Sequence, residues 1–177
     1  MKGLIVYKSK YGAAGQYAAW LSNELRLPLM QADDCDEDDI EESNFIIIGS
    51  SVYIGKLLIR KWLLQNAFAL QKKKLFLFVV CGTEPDEKEK LESYISSSVP
   101  GHLRSQCQVY FLPGKMVYKK LSWTDKFMLQ IGARLSKEPG AKQKMLTDYN
   151  AVKKENLDAI LKDIKTYAGP RREVASL

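Results

Sequence analysis

Phe45-Ile46-Ile47-Ile48-Gly49 is the stretch that decides the architecture. Its apolar residues run without a break and are rich in β-branching, which marks a strand. A strand apolar at every position is covered on both faces, and such strands belong to parallel sheets. Two neighbours read the same way: Lys2–Tyr7, and Leu75–Cys81, which ends at Gly82. Gln108–Leu112 is a fourth strand, stopped by Pro113-Gly114, and Leu27–Gln31 is a weaker fifth. Helical spacing fills the intervals. Ala14, Ala18, Leu21 and Leu25 fall at i, i+4, i+7 and i+11. Leu57–Leu70 is apolar on most sides, and Pro85-Asp86 opens a helix in which Asp86 and Glu89 form a capping-box pattern. Trp123–Leu135 is helical in pattern, and Asp148–Tyr167 carries Leu157, Ile160, Leu161, Ile164 and Ala168 on one stripe before Gly169-Pro170 stops it. Strands alternating with helices predict an α/β fold, a doubly wound parallel sheet of about five strands. Such sheets bind ligands at the carboxyl ends of their strands, at the switch point.

The 177 residues amount to one domain, read as residues 1–168 with a C-terminal tail at 169–177. At 46% hydrophobic and 27% charged residues, the composition is that of a globular protein, not a disordered or fibrous one. Cys35, Cys81 and Cys107 are odd in number and form no C-x-x-C, which suits a reducing compartment. A single histidine, His102, excludes a His-rich zinc site. The first apolar run is too short for a signal peptide, and no stretch reaches the ~18 apolar residues of a membrane span. The sequence therefore predicts a cytoplasmic protein. Charge is uneven. Eight acids and no base lie between Ala32 and Ser43, whereas Lys115–Lys144 holds eight bases against two acids, as large an excess as the whole chain's +6. A field of that sign favours an anionic partner.

Three loops are candidates for a ligand site. The first, Ser9-Lys10-Tyr11-Gly12-Ala13-Ala14, joins the first strand to the first helix. Small residues there allow backbone N–H groups to face an anion at the helix N-terminus, with Ser9 as a hydroxyl donor and Lys8 and Lys10 as charges. The same small residues also suit a plain tight turn. The second loop is Ser50-Ser51-Val52-Tyr53-Ile54-Gly55, where Tyr53 offers an aromatic face to a planar ligand. The third is Cys81-Gly82-Thr83-Glu84. Either of these two, alone, reads better as a surface loop. No G-x-G-x-x-G follows the first strand, and Gly49 to Leu57 misses the Walker spacing and its Ser/Thr. The acidic stretch lacks the glycine of a calcium loop, since Asp39 stands in its place. No metal site is expected, and no side chain stands out as a general acid or base.

Tyr7-x-Ser9-x-Tyr11-Gly12 and Ile48-Gly49-Ser50-Ser51-Val52-Tyr53-Ile54-Gly55 resemble the flavodoxin-domain family. The menaquinone-dependent protoporphyrinogen oxidase branch is the most similar part of it, because Trp123-Thr124-Asp125-Lys126-Phe127-Met128 resembles that branch's late insert. The resemblance covers about Lys2 to Tyr167. It implies a flavodoxin-like fold with a late basic helical insert, and FMN as cofactor. Ser9, Lys10, Tyr11, Gly12, Ala13 and Ala14 would wrap its phosphate. Ser50, Ser51, Val52, Tyr53, Ile54 and Gly55 would bound one side of the ring, and Cys81, Gly82, Thr83 and Glu84 the other. Where this chain has Ala14, flavodoxin-type loops usually have Thr. The implied activity is an FMN-dependent oxidoreductase passing electrons from a porphyrinogen-like donor to a quinone. A diffusible electron carrier and a flavin-free binding module are the alternatives.

In the basic segment, Trp123, Phe127, Ile131 and Leu135 recur every four residues, with Lys115, Lys119, Lys120, Lys126, Arg134 and Lys137 around them. Two readings stand. The stripe packs onto the sheet as a lid, or Lys115–Lys137 meets an anionic membrane surface at the inner membrane face. Nucleic acid is not an expected partner, because the patch lacks an aromatic platform motif.

Overall fold

The computed structural model describes residues 1–135 and 147–169. The tail from Pro170 and the Lys137 end of the basic segment lie outside the described residues. Five parallel strands form the centre: β1 (Gly3–Lys8), β2 (Leu29–Gln31), β3 (Phe45–Tyr53), β5 (Lys74–Cys81) and β6 (Cys107–Pro113), in the order β2-β1-β3-β5-β6. This is the doubly wound α/β sheet that the apolar runs predict. Ile46, Ile47 and Ile48 are all fully buried, as are Leu75 through Val79, because helices cover both faces. One face carries α1 (Ala13–Leu25) and α8 (Asp158–Ala168), with Tyr17, Leu21, Ile160 and Ile164 in the core. The other carries α2 (Glu37–Glu41), α3 (Arg60–Gln65), α4 (Ala67–Leu70), α5 (Lys88–Ser98) and α6 (Gly101–Arg104), packed through Ile40, Leu63, Leu70, Ile95 and Leu103. Gly49 keeps β3 flush against β5, since a Cβ there would strike the Phe78 ring.

Several boundaries differ from the sequence expectation. Ser50–Tyr53, read as a loop, continues β3, and a tight hairpin returns to β4 (Lys56–Leu57). Ile54 and Gly55 make the turn with φ of 49° and 70°, the left-handed pair a two-residue hairpin needs. The helix expected over Leu57–Leu70 is therefore β4 followed by α3 and α4, which break at Asn66. The capping box is not at Asp86. It is at Asp36, whose side chain accepts from the Asp39 N–H at 3.1 Å while Asp39 accepts from Asp36. Glu87 precedes α5 instead, its carboxylate taking the Glu84 N–H. The last helix begins ten residues later than expected, at Asp158, because a ribbon of β7 (Lys115–Met116) and β8 (Tyr149–Asn150) and a 3-10 turn at Lys154–Leu157 come first. Between the ribbon's strands lies α7 (Trp123–Leu135).

Candidate functional site

The carboxyl ends of β1 and β3 lie side by side, Lys8 against Ser50, at the point where the strand order reverses. Past β1 the chain turns through Ser9, whose Oγ accepts the Gly12 N–H at 3.1 Å. Gly12, at φ 82°, then delivers the chain into α1. This helix has no side-chain cap and no acid in its first turn, so its positive end is left for another anion. Ala13 and Ala14 sit at that end and are buried, Ala14 completely. Beside β3, Ser51, Val52 and Tyr53 join Lys10, Tyr11 and Ala13 around a cleft, which Cys81 and Gly82 close from β5 and Tyr149 from the ribbon. All three loops singled out in the sequence thus contribute to one cleft.

Not every residue in them faces it. Ser50 is fully buried, and its hydroxyl donates to the Ser51 carbonyl at 3.1 Å and accepts the Ile59 N–H at 3.2 Å. Ile54 is exposed at the hairpin tip, and Gly55 offers its carbonyl to the Ser97 hydroxyl. Thr83 is hydrogen-bonded to the Tyr94 hydroxyl at 2.8 Å. Thr83 and Glu84 line a neighbouring cleft of about 570 Å³ that shares Cys81, Gly82, Gly114 and Tyr149 with the first. Burial raises the Cys81 thiol's pKa, so at neutral pH it is a protonated side chain, not a thiolate.

The two lysines expected to present charge to an anion are already paired. Lys8 Nζ sits 2.6 Å from Asp33. Lys10 Nζ reaches Asp125 of α7 at 2.8 Å and lies 3.8 Å from the centroid of the Tyr53 ring. Sequence proximity placed both beside the loop but could not reveal carboxylates arriving from 25 and 115 residues away. Asp125 is 6% exposed and also accepts from the Tyr11 and Tyr53 hydroxyls, the latter at 2.6 Å. Burial would raise its pKa, but Lys10, the two tyrosines and Ser122 hold it well below the usual carboxylate range. Burial likewise works against the Lys10 ammonium, and its bonds to Asp125 and Tyr53 hold it above its ordinary value.

Asp125 and Tyr149 are the residues that sequence reasoning missed at this site. A lone acid in a basic amphipathic helix, three residues after Ser122, was the available signal for Asp125. Nothing in the sequence pointed Tyr149 toward Gly82, because the ribbon that carries it pairs across a long connection. The lid reading of the apolar stripe is corrected. Trp123, Phe127, Met128 and Ile131 are exposed, Trp123 to 80%, and the buried side chains between Tyr118 and Ile131 are Leu121 and Asp125. Among the described residues no helix is long and apolar enough to cross a membrane.

Residues 4–143 match the family model described as a flavodoxin domain. No curated protein matches the chain. Among solved structures, Smu.1420 from Streptococcus mutans UA159 is 13% identical, covering 82% of this chain and 98% of its own, with a TM-score of 0.49. A flavodoxin from the domain Archaea is 18% identical over 67% of this chain and 87% of its own, with a TM-score of 0.46. Oxidised Flavodoxin 1 from Bacillus cereus is 16% identical over 75% and 95%, with a TM-score of 0.43.

Proposed function

The chain belongs to the flavodoxin-domain family, and on that footing we propose that it is an FMN-dependent oxidoreductase. The observation that carries this reading is the convergence of three loops on the β1/β3 switch point beside an uncapped helix N-terminus. Doubly wound sheets with this strand order bind ligands at that switch point, which in flavodoxin holds FMN. The donor set suits the phosphate: the uncapped first-turn N–H groups of α1 and the Ser9 hydroxyl, with the left-handed Gly12 leading the chain into the helix. On this reading Ser9–Ala14 hold the phosphate, Ser51, Val52 and Tyr53 bound one side of the ring, and Cys81 and Gly82 the other. FMN, when bound, supplies hydride or electron chemistry. The chain's own residues orient it and shield it from water. Tyr53 offers the aromatic face, and Cys81 and Gly82 let backbone approach the rim.

The electron donor and acceptor follow from the resemblance of Ile48–Gly55 and Trp123–Met128 to the protoporphyrinogen oxidase branch. A porphyrinogen-like donor and a quinone acceptor are the substrates proposed. A lipophilic quinone is reached at a membrane surface, and α7 supports such contact. Its Trp123, Phe127 and Ile131 form an exposed apolar stripe, with Lys119, Lys120 and Arg134 exposed close by in sequence. Each base near anionic lipid contributes about 1 kcal/mol.

Titration of the purified apo-protein with FMN tests the cofactor: quenching of flavin fluorescence to a stoichiometric end point is expected. Absence of binding at ~100 μM, a weak limit on the affinity scale, overturns the reading. The loaded protein should oxidise a porphyrinogen faster when a quinone is present. Efficient electron transfer to a small acceptor protein, without porphyrinogen oxidation, would point to a diffusible carrier. Sedimentation with anionic vesicles should fall with salt, and Lys119, Lys120 and Lys126 changed to Glu should abolish it.

A further inference from the structure

Asp125 has no part in the chemistry proposed above, yet it is the most heavily bonded side chain of the site. Its carboxylate is held by Lys10 and Tyr11 from the loop after β1 and by Tyr53 from β3. Those are the two strands that flank the switch point. One carboxylate from α7 therefore bridges the mouth of the crevice from side to side. Ser122 fastens the bridge at its base: its Oγ accepts the Asp125 N–H at 3.2 Å, and its own N–H donates to the Tyr11 hydroxyl at 3.3 Å.

The space at the bridge is narrow. The cleft lined by Lys10, Tyr53, Cys81 and Tyr149 holds about 110 Å³, and the wider cleft of about 570 Å³ is reached past Cys81, Gly82 and Tyr149. Ala13 and Ala14, whose N–H groups belong to the anion-binding turn, are 5% and 0% exposed. Lys10 is committed to a carboxylate and lies over the Tyr53 ring, the face a flavin would use. The bridge can nevertheless open. Opening returns both charges to water, and recovered hydration offsets much of the lost attraction. The apolar stripe of α7 is exposed already, so moving its first turn uncovers little further hydrophobic surface.

We propose that the Asp125 bridge closes the site, and that flavin enters by releasing Asp125 from Lys10, Tyr11 and Tyr53. This rests on the FMN reading. Asp125 is then a positioning residue that governs how fast and how tightly flavin binds. A closed form in about tenfold excess lowers apparent affinity about tenfold, because only the open fraction accepts ligand.

The experiment is stopped-flow binding of FMN and of riboflavin, which lacks the phosphate, to the full chain and to Asp125→Asn. Both flavins should bind the variant about tenfold more tightly and faster. A gain confined to FMN would mean simple repulsion between carboxylate and phosphate, and would overturn the gate. Equal or weaker binding by the variant makes Asp125 a strut of the bound state and also overturns it. If neither protein binds either flavin, the FMN reading fails and the gate with it. A measurement on the unmodified chain stands independently of the variant's folding: saturating FMN should speed tryptic cleavage at Lys126, and protection there would refute the release of α7.

Discussion

α7 and α8 look alike in sequence and end in opposite environments. Each is amphipathic, each has an apolar stripe at helical spacing, and both follow β6. α8 buries Ile160 and Ile164 against the sheet, at 0% and 1% exposure, whereas α7 leaves Trp123, Phe127 and Ile131 in solvent. The difference is a matter of available surface. Five strands spaced ~4.8 Å apart make a sheet about 20 Å wide, and two helices of about 10 Å diameter cover one face of it. α1 and α8 occupy that face, and α2 to α6 pack on the other. A further helix inserted between β6 and α8 finds no sheet left to cover. It is fixed instead through Leu121 and one polar side chain, Asp125, at the edge of the cleft beside β1 and β3. An apolar stripe states that a helix has a face to hide, and the topology decides whether anything is there to hide it.

The largest effect expected from this contrast is in stability. Ile160→Ala and Ile164→Ala should each cost about 2–5 kcal/mol in denaturant unfolding, the range for buried aliphatic truncations. Phe127→Ala and Ile131→Ala should stay within about 0.5 kcal/mol. Equal losses from the two helices would show that the α7 stripe is packed in solution and would remove the contrast.

A smaller effect tests the covered face at its ligand end. Ala14 is completely buried on α1. Ala14→Thr should therefore destabilise the fold by about 1–3 kcal/mol through overpacking. A stable variant would show that the first turn of α1 has room for a side chain, and that the proposed phosphate site is more open than its burial indicates.

The smallest effect belongs to the polar anchor of α7. Asp125→Asn should lower the melting temperature by about 2–4 °C at neutral pH, the shift expected for ~1 kcal/mol in a chain of this size. The value is kept low because a third of the Lys10 side chain is solvent-exposed. The pH window follows from the directions of the two shifts. Asp125 is depressed in the folded chain, so its contribution is complete above the ordinary Asp value of ~4 and fades as pH falls further. Lys10 is raised, so its contribution is complete below ~10 and fades as pH rises further. The difference between the two proteins should stay level from about pH 5 to pH 9. A difference that vanishes within that range would mean the bridge is not formed in solution.

Much of the architecture was legible in residue order. Unbroken apolar runs at Phe45–Gly49 and Leu75–Cys81 are buried on both faces in any fold they enter, and a parallel sheet covered by helices satisfies them. The loops that meet at the switch point follow from that sheet, since strands pointing one way bring their carboxyl ends to one edge. The hairpin after β3 was not legible, because Ile54 is a poor residue for a left-handed turn and gives no Asn-Gly signal. Nor was the pairing of the lysines. Lys8 and Lys10 are charged in the sequence, and whether that charge is free depends on Asp33 and Asp125, which only the folded chain brings within reach. Hydrophobic periodicity is a property of neighbours along the chain, so the sequence by itself determined the sheet, most of the helices that cover it and the edge where the loops meet. Ion pairing at contact distance joins residues of any separation, so tertiary structure alone decided that this edge is bridged by Asp125 and that the stripe of α7 faces water.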